Sequence, residues 1–110
     1  MAYNKDAVIK TFSEEQRKKW TENRIKNKIV TQVVYTFIGG VLESTEDGAR
    51  RKVPFEKFPI TCDIAVYDDK IRLASFGDRL VGIVIEDKEL AASFRAVLDL
   101  AWEASEKYQK

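Results

Sequence analysis

The sequence predicts an α/β domain in which a mixed sheet is packed by an N-terminal helix and a long C-terminal helix. Residues 29–38 are rich in β-branched and aromatic side chains at both alternating positions, which indicates a strand covered on both faces. Three shorter apolar runs follow at 60–67, 71–76 and 80–86, and turn residues separate them. The last segment then switches to helical spacing. This order, with one long strand, then several short strands and a closing helix, favours helices packed on one sheet.

The N-terminal segment predicts two helical stretches. Residues 1–12 form a short helix or lead-in, with Asn4 as its candidate N-cap. Ser13 and Gln16 have capping-box spacing, which opens a second helix running to about residue 27. The side chains expected to point inward from this helix are Trp20 and Ile25.

The remaining elements are an edge segment, a meander and a helix. Residues 50–52 precede a proline-containing stretch, so we expect them to be extended at a sheet edge. The three apolar runs predict an antiparallel meander with its first turn at Asp68 and Asp69. Asp87 is a good N-cap for the final helix. Its predicted inward stripe consists of Leu90, Phe94, Val97, Leu98 and Ala101, with Trp102 beside it.

Composition excludes several classes of protein. The 110 residues suit one domain, and 19 Lys and Arg against 18 Asp and Glu disfavour a strongly basic nucleic-acid module. No apolar run reaches the roughly 18 to 20 residues of a membrane span, and residues 1–10 lack a signal peptide's apolar centre. We therefore expect a cytoplasmic protein with no membrane partner. The chain has no histidine, and its single cysteine, Cys62, cannot form an intrachain disulfide.

Residues 58–103 resemble the second half of a phospholipase D-like unit. The likeness is carried by a hairpin with Asp68, Asp69 and Lys70 at its turn and by the run 84–87 leading into a helix. Within that superfamily the segment looks most like the carboxy-terminal effector domain of TrmB-like transcriptional regulators. Residues 13–29 are similar to the helix that precedes the first strand in that group. The resemblance implies a phospholipase D-like mixed sheet across a single domain at 1–110, without the winged helix that precedes it in the family.

The resemblance also allows a test for catalysis. Active phospholipase D enzymes carry a His, any residue, a Lys, then four residues and an Asp. Placing that Asp on Asp68 puts Thr61 at the His position and Asp63 at the Lys position. A threonine without a neighbouring base is a poor nucleophile, and a carboxylate repels a phosphodiester. We therefore expect no enzymatic activity, no cofactor and no metal.

Several residues are candidates for ligand binding. From position alone, a ligand would lie near Thr61, Asp63 and the basic run Arg50, Arg51 and Lys52. Guanidinium groups suit bidentate contacts with an anion, although an exposed cluster of charges at a sheet edge is the more common explanation. Asp63 stands between apolar neighbours, so it is exposed, paired with a base or lining a cleft.

Three other groups have structural explanations. Cys62 fits a buried strand position, Asp68 and Asp69 fit a turn, and the aromatic residues fit core or interface packing.

The sequence thus favours a non-catalytic ligand-sensing or dimerisation domain of a TrmB-like regulator. The resemblance implies a homodimer, since superfamily members commonly bring two such units together. A small-molecule effector would then change the dimer geometry, and DNA would be contacted only through a winged helix absent from this chain. The alternative is a stand-alone protein interaction module with no small-molecule ligand.

Overall fold

The sheet has six strands and joins a parallel half to an antiparallel half. A computed structural model describes residues 1–26, 31–42, 44 and 48–109. The strands are β1 (Ala2–Asn4), β2 (Thr31–Thr36), β3 (Gly48–Lys52), β4 (Cys62–Tyr67), β5 (Lys70–Phe76) and β6 (Leu80–Glu86). Their order is β3-β2-β1-β4-β5-β6. The pairs β3–β2 and β2–β1 are parallel, and the pairs β1–β4, β4–β5 and β5–β6 are antiparallel. The predicted α/β class and mixed sheet are confirmed.

The three helices lie where the sequence predicts them. They are α1 (Lys5–Thr11), α2 (Glu14–Lys26) and α3 (Lys88–Ala104), and a short 3-10 helix follows at Ser105–Tyr108. Asn4 caps α1 by accepting the Ala7 N–H at 3.0 Å, and Asp87 caps α3 by accepting the Leu90 N–H at 2.9 Å. At the start of α2, Ser13 and Gln16 form the reciprocal capping box.

The two faces of the sheet carry different helices. The Arg51 guanidinium lies over the Trp102 ring, so α3 covers the face on which Arg51 stands. We call this the α3 face. Phe76 points to the other side, where its ring meets Phe12 between α1 and α2, and we call this the α1–α2 face. β2 is buried on both faces from Val33 to Thr36, as predicted, but the strand ends at Thr36 and Ile38 is 74% exposed, so the prediction for 29–38 is wrong at its C-terminal end; residues 29–30 lie outside the described part of the chain.

β1 is a strand that the sequence analysis does not anticipate. Ala2–Asn4 lies in the middle of the sheet, pairing in parallel with β2 and antiparallel with β4. Three residues are too few to display a strand period, so the pattern shows only the helix that follows. The buried Asn4 side chain also donates to the Ile60 carbonyl at 2.9 Å, which ties the start of α1 to the approach of β4.

Several side chains expected in the core are exposed. Trp20 is 44% exposed and packs edge-on against Phe12, so it does not point into the core. Ile25 lies among the residues whose side chains are not described. On α3, Leu90 and Val97 are exposed, because the helix turns Ala91, Phe94 and Leu98 toward the sheet instead. Cys62 is exposed rather than buried, since it lies at the first position of β4. The buried apolar residues are Ala2, Val8, Val33, Val34, Tyr35, Val53, Ala65, Ile71 and Ala91.

Candidate functional site

Asp63 is a charged residue within a strand whose neighbours are apolar. It stands on β4 opposite Ala74 of β5, on the α1–α2 face. Because Ala2 lies opposite Ile64 in an antiparallel pair, the next position places Asp63 opposite Tyr3. The Tyr3 and Tyr35 rings stack on this face with centroids 6.4 Å apart. Asp63 therefore borders an aromatic pair on one side and small residues on the other.

The electrostatics of Asp63 are unusual for a surface carboxylate. Its Oδ1 atom is buried and makes no hydrogen bond within the described residues. Burial raises the pKa of Asp63 to about 6, and the nearby Arg72 guanidinium acts in the opposite direction without restoring the ordinary value. A buried carboxylate oxygen without a donor is costly, so Asp63 is suited to accept a hydrogen bond from a ligand.

The predicted basic residues do not converge on Asp63. Lys52 stands on the α1–α2 face in register with Tyr35, but β2 and β1 separate its strand from that of Asp63. At the usual spacing between strands, three steps amount to about 14 Å. Arg51 points to the opposite face, while Arg50 shares the face of Lys52.

Arg51 and Lys52 have structural contacts of their own. The Arg51 guanidinium carbon lies 4.1 Å from the Trp102 ring centroid, and its Nη1 donates to the Trp102 carbonyl at 2.6 Å. Lys52 Nζ donates to the Gly40 carbonyl at 2.7 Å. Both charges therefore fasten β3 to neighbouring segments, which favours a structural role for them.

Thr61 and the turn aspartates lie at opposite ends of β4 and make different contacts. Thr61 is exposed just before β4, and its Oγ1 lies 3.9 Å from the Cys62 sulfur. Asp68 occupies the β4–β5 turn with a φ of 51°, and its carbonyl accepts from Arg95 at 2.7 Å. Aspartate tolerates this left-handed conformation, as the turn prediction requires. Among the described residues, no group of three or more Cys, Asp or Glu side chains could hold a metal ion.

The two edges of the sheet differ. At the β3 edge, the Gln109 side chain accepts the Lys52 N–H at 3.0 Å and donates to the Lys52 carbonyl at 2.7 Å, as a neighbouring strand would. β6 forms the other edge, and residues 80–85 contain no charged side chain. Its side chains Leu80, Ile83 and Val84 are all exposed. An uncharged apolar edge of this kind is a ready surface for pairing.

Helix α3 adds a second exposed apolar surface. Val97 is 62% exposed and Leu100 is 66% exposed, and Leu90 lies on the same flank of the helix. We call these three residues the α3 flank. An open depression beside its C-terminal part is lined by Leu100, Glu103, Ala104, Glu106 and Lys107. Sequence reasoning misses this flank because helical spacing shows a wide apolar stripe but not how much of it the sheet covers.

The comparisons add no relatives. No protein-family model, curated protein or solved structure matches the chain. None of the helices in the described part of the chain is long and apolar enough to span a membrane.

Proposed function

We propose that this chain is a non-catalytic dimerisation domain with phospholipase D-like architecture, of the kind that forms the effector part of TrmB-like transcriptional regulators. In that role two copies associate with each other, and a winged helix elsewhere in the regulator contacts DNA. The hairpin turning at Asp68 and the long helix capped by Asp87 support the architecture, because these are the two features on which the resemblance depends.

The contrast between the two sheet edges carries the proposal. Gln109 bonds both backbone groups of Lys52 at the β3 edge, whereas the β6 edge is apolar and exposed among the described residues. Proteins that stay monomeric usually protect such an edge with charges, prolines or a covering segment. Because the same edge exists on every copy, two copies can satisfy each other through one two-fold axis.

The chemistry around Asp63 and Thr61 supports a non-catalytic role. The motif of active phospholipase D enzymes would need a nucleophile at position 61 and a phosphate-binding cation at position 63. Thr61 has only the Cys62 sulfur as its described polar neighbour, and Asp63 is a carboxyl group whose pKa burial raises. Neither group can attack or hold a phosphodiester in this state.

Sedimentation equilibrium tests dimerisation directly. We expect a mass twice the 12.7 kDa of one chain at high concentration, falling toward 12.7 kDa on dilution. Val84→Lys should shift the equilibrium to the monomer by placing a charge at the β6 edge. Ile9→Lys is the matched control, because Ile9 is also an exposed apolar residue but lies on α1. A mass of 12.7 kDa at every concentration would contradict the proposal.

A sensing function is the second part of the proposal and depends on Asp63. We expect a sugar, nucleotide or phosphorylated metabolite with a donor group to raise the melting temperature by binding the folded state. Asp63→Asn should reduce that rise, whereas Asp69→Asn, in the exposed β4–β5 turn, should leave it unchanged. A flat response to all three classes would leave dimerisation as the whole function.

The α3 flank supports the alternative of a protein interaction module. The α3 flank runs from Leu90 to Leu100, ten residues further along, or about 15 Å along the helix axis. An apolar flank of this length fits a helix of another protein. A chain that stays monomeric in sedimentation would favour this alternative over self-association.

A further inference from the structure

The direction of the backbone groups of β6 determines how this edge can pair. Asp87 lies opposite Asp69 by continuation of the β5–β6 register, and its N–H donates to the Asp69 carbonyl at 2.9 Å. Alternate residues of an antiparallel strand direct their N–H and C=O groups to the same side. The backbone N–H and C=O groups therefore point toward β5 at Val81, Ile83 and Ile85. Leu80, Gly82, Val84 and Glu86 direct theirs outward.

Charge selects one alignment for a second copy of β6. An antiparallel pair of β6 strands (Leu80–Glu86) centred on Ile83 brings together the charges that flank the strand: Arg79 next to Asp87 of the second copy, and Asp78 next to its Lys88, the first residue of α3. Both flanking pairs are attractive, and Glu86 stands opposite Leu80 at the end of the strand. Centring the pair on Gly82 instead places Asp78 opposite Glu86, which is repulsive. Centring it on Val84 leaves Asp87 opposite Val81 and Asp78 opposite Leu90, so only Arg79 gains an opposite charge, Glu89, where the alignment on Ile83 has two attractive flanking pairs.

The side chains along β6 fit the alignment centred on Ile83. On the α3 face, Ile83 meets its own copy and Val81 meets Ile85, and these are all β-branched residues suited to cross-strand contact. On the α1–α2 face, Val84 stands opposite Gly82. A Cβ atom at Gly82 would meet nothing within 4 Å, and its φ is not positive, so nothing described in a single copy requires glycine there.

We infer that two copies of this chain associate by antiparallel pairing of β6 about a two-fold axis at Ile83, which joins two six-stranded sheets into one. The inference rests on the proposed dimerisation and specifies its surface and register. The occupant of the β6 edge is a second copy, because both pairs of charges that flank the strand complement each other under this two-fold rotation.

Disulfide trapping tests the register. Because Ile83 directs its backbone groups to β5, it forms a non-hydrogen-bonded pair with its copy, with Cα atoms about 4.5 Å apart. That separation lies in the range of about 4.4 to 6.8 Å that a disulfide spans. In a Cys62→Ser background, we expect Ile83→Cys to give a covalent dimer on mild oxidation. Leu80→Cys is the matched control on the same edge, since the two copies of position 80 would stand about 20 Å apart.

Charge reversal provides a second test that needs no cysteine. Asp78→Lys and Lys88→Asp should each weaken the dimer by about two- to fivefold, as expected for exposed ion pairs. The double variant should restore wild-type affinity, because it exchanges the partners and keeps the attraction.

The outcomes separate the inference from the proposed function. If the unmodified chain is monomeric, dimerisation itself fails. If it dimerises but Ile83→Cys gives no more covalent dimer than Leu80→Cys, the β6 register is wrong and dimerisation stands. Failure of the double charge reversal to restore affinity would likewise overturn the register.

Discussion

The Arg51 guanidinium stacks 4.1 Å from the Trp102 ring centroid and donates Nη1 to the main-chain carbonyl of the same residue at 2.6 Å. Arg51 thereby connects the edge strand β3 to the C-terminal part of α3 through two different interactions. The planar guanidinium satisfies both at once, because its flat face covers the ring while its edge donates.

Arg51→Ala is expected to lower the free energy of unfolding by about 1 to 3 kcal/mol, since it removes a cation–π contact and a charge-assisted hydrogen bond. Arg51→Lys should recover only part of the loss, because an ammonium group cannot stack and donate in the same way. Urea unfolding monitored by tryptophan fluorescence measures both. Lys19→Ala, on an exposed position of α2, is the control, and an equal loss in that variant would contradict the assigned role.

Asn4→Ala is expected to cost about 2 kcal/mol, because it removes an N-cap and also leaves the partly buried Ile60 carbonyl with only the longer hydrogen bond from Thr36 Oγ1, at 3.4 Å. The Asn4 side chain accepts the Ala7 N–H through Oδ1 and donates to the Ile60 carbonyl through Nδ2. Ser13→Ala removes an exposed N-cap that has no such second contact, so it should cost about 1 kcal/mol or less. Chemical denaturation of the two variants side by side provides the comparison. Equal losses would show that the contact with Ile60 contributes nothing.

The pH dependence of stability should report on Asp63. Burial raises the pKa of this carboxyl to about 6 from an ordinary value of 3.8, so the folded chain binds the proton more tightly than the unfolded chain does. The contribution of Asp63 to the free energy of unfolding is therefore full below the ordinary pKa and is lost as the pH rises through about 6. Asp63→Asn removes this dependence.

We expect Asp63→Asn to gain about 1 kcal/mol relative to wild type between about pH 4.5 and about pH 7.5, a value reduced for the partial exposure of the side chain. Denaturant midpoints at both pH values and one fixed protein concentration would measure the gain. Thr61→Ala, which carries no titrating group, should show the same difference from wild type at both pH values. If Asp63→Asn instead gained stability relative to wild type as the pH fell, the sign would contradict a raised pKa of Asp63.

Gln109→Ala is expected to open the β3 edge. The variant loses the two hydrogen bonds to the Lys52 backbone and a third, 2.9 Å long, to the Ser105 carbonyl. Stability should fall by about 1 to 3 kcal/mol, and light scattering should rise with concentration because a second edge becomes available. Glu106→Ala, an exposed neighbour, should change neither measurement. A stable Gln109→Ala variant without added scattering would show that another segment protects the edge.

Local signals in the sequence predict most of the fold. Asn4, Ser13 and Asp87 are recognisable as N-caps because their side chains act within three residues along the chain. The β4–β5 turn is equally local, and the strands of the meander pair with their neighbours in sequence. The pairing of β1 with β2 and β4 is not local, and its three residues show no period of their own.

The candidate site is less accessible to sequence reasoning. Asp63 stands out because a carboxylate interrupts an apolar strand, and the structure gives it a buried oxygen. The expected grouping with Arg50, Arg51 and Lys52 depends on the strand order, which places two strands between them and Asp63. The exposure of Leu90 and Val97 depends on which part of an apolar stripe the sheet covers, and composition does not reveal this.

The central position of β1 also constrains the order of folding. Residues 2–4 find one neighbour about thirty positions later at Val34 and the other about sixty positions later at Ile64. During synthesis, β2 begins only five residues after α2 ends, at Thr31 after Lys26, whereas β4 begins at Cys62, long after both helices are complete. The meander is built from neighbouring hairpins and can assemble by itself. Joining the two halves of the sheet is therefore the step with the greatest loop-closure entropy, and we expect it to limit the folding rate.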